Sequence, residues 1–94
     1  MPEVKMAIRE LTIVNKLGLH ARAAAKLVTL ASKFESDITI KRGEQEVNAK
    51  SIMGVMMLAA AKGVVIEVCV EGSDADEALA QISRLVQNRF GEPE

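Results

Sequence analysis

The chain predicts an α+β domain, with helices laid on one face of a mainly antiparallel sheet. Three observations carry that reading. Four short segments show the apolar–polar alternation of half-buried strands. Three others repeat apolar residues at helical spacing. Their order is β-α-β-β-α-β-α within 94 residues, and no repeat, linker or composition shift marks a second domain.

Residues 6–15 form the first strand, with Leu11 and Ile13 inward and Glu10 and Thr12 outward. Lys16-Leu17-Gly18-Leu19 connects it to a helix over about 21–33. Ala24, Leu27, Val28 and Ala31 share one face of that helix, and Arg22, Lys26, Thr29 and Lys33 the other. Ser36 to Lys41 is a strand with Ile38 and Ile40 inward. The glycine turn Arg42-Gly43-Glu44 returns the chain as a third strand, Gln45 to Ala49. Ser51 N-caps a short helix running to Leu58. Gly63 restarts the chain as Val64 to Glu71, with Ile66, Val68 and Val70 inward and Glu67, Cys69 and Glu71 outward. The last helix covers about 75–90, with Ser73 or Asp74 as cap and Asp76 and Glu77 favouring its dipole. Its inner stripe is Ala75, Ala78, Leu79, Ile82, Leu85 and Val86, and residues 91–94 are expected to fray.

Composition removes several function classes. With 49% hydrophobic residues but only two Phe and no Trp or Tyr, the core must be aliphatic. The same shortage leaves no platform for stacking bases, and a net charge of −1 argues against a polyanion binder. A nucleic-acid-binding domain of similar element order is therefore disfavoured. The single cysteine, Cys69, cannot form an internal disulfide and fits a reducing compartment. Met1-Pro2-Glu3-Val4-Lys5 carries no leader pattern, and the apolar run Ile52 to Ala61 is far shorter than the roughly 20 residues that span a bilayer. A monomeric cytoplasmic protein without membrane insertion is expected. No metal-ligand spacing occurs, and Asp74, Asp76 and Glu77 do not make a calcium loop. No cofactor is implied.

The chemistry concentrates at Gly18-Leu19-His20-Ala21-Arg22. A lone histidine is by default a surface or structural residue. His20, however, stands where a glycine-containing turn enters a helix, over first-turn N–H groups that attract an anion. That setting disfavours an imidazolium, so the ring should be largely neutral with a nucleophilic lone pair. Either ring nitrogen could attack a phosphoryl group, which would then rest on the N–H groups of residues 21 and 22 beside the Arg22 guanidinium. With no acid–base partner nearby in the sequence, handing the group on is favoured over hydrolysing a substrate.

These residues, with a second motif at Lys50-Ser51-Ile52-Met53-Gly54-Val55-Met56, closely resemble HPr, the histidine-containing phosphocarrier family of the bacterial phosphoenolpyruvate-dependent sugar phosphotransferase system. The resemblance covers nearly the whole chain. It implies an open-faced β-sandwich, a four-stranded antiparallel sheet with three helices on one side. It further implies that phosphorylated enzyme I donates to Nδ1 of His20, and that His20 passes the phosphoryl group to enzyme II A domains. Arg22 matches the family arginine that contacts the group. The family usually has proline next, where this chain has Ala23; alanine keeps the helix and restores an N–H, so partner choice is affected more than chemistry.

Ser51 reads as a cap, and through the resemblance also as the serine that HPr kinase/phosphorylase modifies; the two roles are compatible. Ile52, Met53 and Met56 either line the core or form an adaptable docking patch, and the resemblance favours docking. Arg22, Lys26 and Lys50 would then make a basic rim for acidic partners. The competing reading is a regulatory HPr-like protein that signals through His20 or Ser51 without sustaining sugar transport.

Overall fold

The computed structural model describes residues 5–94. Residues 1–4, on which most of the expectation about a leader rests, lie outside the described residues. Strands β1 (Lys5–Thr12), β2 (Asp37–Arg42), β3 (Gln45–Asn48) and β4 (Val65–Gly72) form one sheet in the order β1-β4-β2-β3. Every pairing is antiparallel, and the register explains the alternation. Leu11 stands opposite Ile66, Ile40 opposite Val68 and Ile38 opposite Val70. All six are buried on one face, so a one-residue slip would turn that whole set outward.

Helices α1 (Ala21–Ala31), α2 (Ile52–Met57) and α3 (Ala75–Gln87) cover this face. Ala23, Ala24, Leu27 and Ala31 of α1 are buried, as are Ala75, Ala78, Leu79, Ile82 and Val86 of α3. Leu85 and Val28 are half-buried at the edges of these stripes. The expected helices and strands are all present; β2 and β4 are each shifted one residue along the chain, and the other elements end earlier than expected. β1 stops at Thr12 because the chain is turning toward α1, although Ile13 still bonds to the segment leading into β4: its N–H donates to the Val64 carbonyl at 2.9 Å and its carbonyl accepts from Gly63 at 2.7 Å. α3 ends at Gln87, not near residue 90, because Arg89 and Phe90 adopt left-handed backbone angles, with φ of 56° and 55°.

Asp74 occupies the N-cap position of α3, yet its side chain does not cap the helix. Its carboxylate accepts instead from the backbone N–H groups of Glu35 (2.9 Å) and Ser36 (3.0 Å) and from the Ser36 hydroxyl. This staples the start of α3 to the entrance of β2. The Ser36 hydroxyl first, and then the Glu35 N–H, hold the Asp74 carboxyl below its ordinary value. A depressed folded value contributes stability that is present above the unfolded carboxyl range, about pH 4, and is lost as pH falls through the folded value. Asp74→Asn is therefore expected to flatten the loss of stability between about pH 5 and about pH 3 seen in urea titrations. Parallel slopes for the two proteins would contradict the assignment.

Among the described residues no helix lies on the opposite face of the sheet. Cys69 lies on it, half-buried, with its thiol directed at the Glu67 carboxylate at 3.4 Å. Burial and the Glu67 charge push this thiol above its ordinary value, which makes it a poor nucleophile.

Candidate phosphoryl site

The turn before α1 sets the histidine. Gly18 has φ +64°, and a Cβ there would lie 2.5 Å from the Ala60 carbonyl oxygen and 2.9 Å from the Ala61 Cα. Glycine is required on both counts. The Gly18 N–H donates to Asn15 and the Leu19 N–H to Ala60, at 3.2 and 2.9 Å, which pins the turn to the segment following α2. His20 then enters α1 in an extended conformation, and its carbonyl accepts the first helical bond from Ala24 at 2.8 Å. The N–H groups of Ala21, Arg22 and Ala23 precede that bond and form the open end of the helix. The His20 side chain does not cap them. Its ring stands 28% exposed at the mouth of an open cleft of about 750 Å³.

The tail that was expected to fray closes one side of this cleft. Phe90 is fully buried, and its carbonyl accepts from the Lys26 ammonium at 2.7 Å. Gly91 continues the left-handed turn, with φ +78°. Three consecutive left-handed residues reverse the chain, so that Glu92 meets His20. Holding Arg89 and Phe90 there costs roughly 1–2 kcal/mol per residue. The burial of Phe90 offsets that cost. One Glu92 oxygen contacts His20 Nε2, and the other accepts from the Asn15 amide at 2.9 Å. The same buried amide donates to the Gly18 carbonyl at 2.8 Å. The Asn15 and then the His20 hydrogen bonds hold the Glu92 carboxyl below its ordinary value, so it is ionised at neutral pH. An ionised carboxylate only accepts; Nε2 must therefore carry the hydrogen. Nδ1 makes no hydrogen bond among the described residues.

Arg22 is exposed and lines the cleft, and it makes no hydrogen bond or ion pair among the described residues. At the second motif, Ser51 caps α2 as expected, its hydroxyl accepting from the Gly54 N–H at 3.1 Å. Val55 and Leu58 turn into the core, while Ile52, Met53 and Met56 remain 42%, 68% and 41% exposed. Leu17, at the cleft, is 66% exposed. Lys26 and Lys50 are less free than a basic rim suggests. Lys50 donates to the Phe34 carbonyl at 2.8 Å, much as Lys26 does to Phe90. Among the described residues no group of three His, Cys, Asp or Glu side chains is placed to hold a metal ion. Nor, among the described residues, is any helix long and apolar enough to cross a membrane.

Comparison with known families matches residues 7–88 to the PTS HPr component phosphorylation site. The chain belongs to the PTS-HPr family. HPr from Xylella fastidiosa is 56% identical over 87 residues, covering 93% of this chain and 98% of that protein. Phosphocarrier protein NPr from Shewanella violacea is 50% identical over 84 residues, covering 89% and 92%. A solved HPr structure from Thermoanaerobacter tengcongensis superposes with a TM-score of 0.90 at 43% identity, covering 94% of this chain and 99% of that one. Membership makes the chain an HPr-type phosphocarrier of the phosphotransferase system.

In this HPr-family chain the sequence singles out His20 and Arg22, which the structure places on one cleft, but not Glu92 or Asn15, which the structure adds beside His20. The absence of an acid–base partner held only locally, since Glu92 lies 72 positions away. One signal was present. Phe90 is one of only two aromatic residues, and an apolar side chain that large just before Gly91 is better buried than frayed.

Proposed function

We propose that the chain accepts a phosphoryl group on Nδ1 of His20 from phosphorylated enzyme I and delivers it to enzyme II A domains. The observation that carries this reading is an imidazole at an open helix N-terminus, beside an arginine, with neither Nδ1 nor the guanidinium paired among the described residues. In the transfer the Nδ1 lone pair forms a bond to phosphorus. The bond from phosphorus to the donor breaks, and its electron pair leaves with the donor. The three phosphoryl oxygens then face the N–H groups at the start of α1 and the Arg22 guanidinium, donors already placed for the charge they receive. Onward delivery reverses the step.

Ile52, Met53 and Met56 present apolar, adaptable side chains suited to more than one partner. Arg22, Lys26 and Lys50 add positive charge that steers acidic surfaces. Phosphorylation of Ser51 by an HPr kinase/phosphorylase would place close to two negative charges at the start of α2, next to that patch, and weaken docking of acidic partners. The protein acts in the cytoplasm, as a monomer.

Incubation with phosphoenolpyruvate and enzyme I tests the acceptor. Acid-labile label is expected on the wild type and on Ser51→Ala, and none on His20→Ala. Normal labelling of His20→Ala would overturn the assignment. ATP with the kinase tests the second site, with acid-stable label expected on the wild type and lost in Ser51→Ala.

A further inference from the structure

The C-terminal segment does more than complete the core. Its left-handed turn has no glycine at its first two positions, Arg89 and Phe90, and is held by a fully buried ring and a lysine bonded to the Phe90 carbonyl. What this arrangement delivers is a single carboxylate, placed on Nε2 of the ring and leaving Nδ1 without a hydrogen bond among the described residues. The Glu92 side chain is itself only 13% exposed, and a second, fully buried side chain, Asn15, fixes its other oxygen. A surface ion pair formed by chance would have neither support.

We propose that Glu92 is a positioning residue for phosphoryl transfer: carried on a strap locked by Phe90 and Lys26, it holds His20 as the Nε2–H tautomer, so that Nδ1 is the attacking atom, and balances the positive charge the ring acquires. This rests on the carrier reading of His20. When the Nδ1 lone pair bonds to phosphorus, the ring still holds its Nε2 proton and becomes cationic. A carboxylate on Nε2 stabilises that charge as it develops, without a proton leaving the ring. On delivery the N–P bond breaks, its electrons return to Nδ1, and the ring is again neutral with the same tautomer. Asn15 links the two ends of the device. Its amide bonds to Glu92 and to the Gly18 carbonyl in the turn that aims His20.

The test combines imidazole nitrogen NMR with single-turnover labelling by phosphorylated enzyme I, on the full chain. The wild type is expected to show one dominant tautomer, protonated at Nε2. Glu92→Ala should mix the two tautomers and slow labelling by roughly tenfold or more, the effect of losing a charge-assisted hydrogen bond. Glu92→Gln, which offers one carbonyl oxygen to the two donors that Glu92 serves, Nε2–H and the Asn15 amide, and carries no charge, should also slow labelling. Glu92→Asp should recover part of the rate. A merely structural Glu92 would alter folding stability and leave tautomer and rate untouched. A wild-type tautomer or a wild-type rate in Glu92→Ala would overturn the proposal. The tautomer measurement needs no phosphoryl donor; failure of the wild type to take label would count against the carrier reading instead.

Discussion

Replacing Phe90 with alanine is expected to destabilise the domain by about 3–5 kcal/mol, the range for emptying a buried aromatic site. Phe90 is the largest of the fully buried side chains, and its ring anchors a backbone that is strained on its own account. A domain of this size has a total stability of about 5–15 kcal/mol, so the loss is a large fraction of the whole. The melting temperature should fall by about 4–8 °C for each kcal/mol. The variant should also release Glu92 from His20, because the strap that carries it has lost its anchor. Ile82→Ala, fully buried in α3, is the control: destabilising, but without change in the His20 ring signals. Urea denaturation with histidine NMR reads both quantities. A Phe90→Ala protein that stays within about 1 kcal/mol of the wild type and keeps the His20–Glu92 contact would show that the tail is held by something else.

Gly18→Ala has an effect of similar size for a different reason. Alanine at φ +64° costs about 1–2 kcal/mol in backbone strain alone. Its methyl group would also press on the Ala60 carbonyl and the Ala61 Cα, which are backbone and cannot rotate away. Relief requires moving the turn from the segment after α2, at a further cost of about 1–3 kcal/mol. The turn carries His20, so labelling by enzyme I should slow together with the loss of stability. Gly43→Ala makes the comparison, since Gly43 has a similar φ of +59° but open space around it. That variant should show only the strain. Equal losses at Gly18 and Gly43 would mean that the contact with Ala60 and Ala61 is not what matters.

The parts of the molecule legible in its sequence are those governed by local period or local chemistry. Ile38, Ile40, Ile66, Val68 and Val70 alternate because one face of the sheet is buried, and period two is visible in any short window. Ser51 reads as a cap because capping is settled within three residues. Asp74 shows where this stops. Its position at the head of α3 was readable, but its partners Glu35 and Ser36 come from a distant turn and outcompete the helix for its oxygens. Glu92 is the stronger case. Its meeting with His20 depends on two non-glycine residues accepting left-handed angles, which local preference disfavours and which the burial of Phe90 and the Lys26 bond to its carbonyl compensate. A long-range contact built on such a compromise leaves almost no local trace.

A carrier must give its phosphoryl group away, and the direct measurement is transfer from isolated protein phosphorylated on His20 to an enzyme II A domain. The protein is labelled with phosphoenolpyruvate and enzyme I, freed of both, and mixed with the acceptor domain. Label should leave His20 and appear on the acceptor, with little released as inorganic phosphate, and Ser51→Ala should behave like the wild type. Label that stays on His20, or appears only as free phosphate while the acceptor remains unlabelled, would contradict the carrier function.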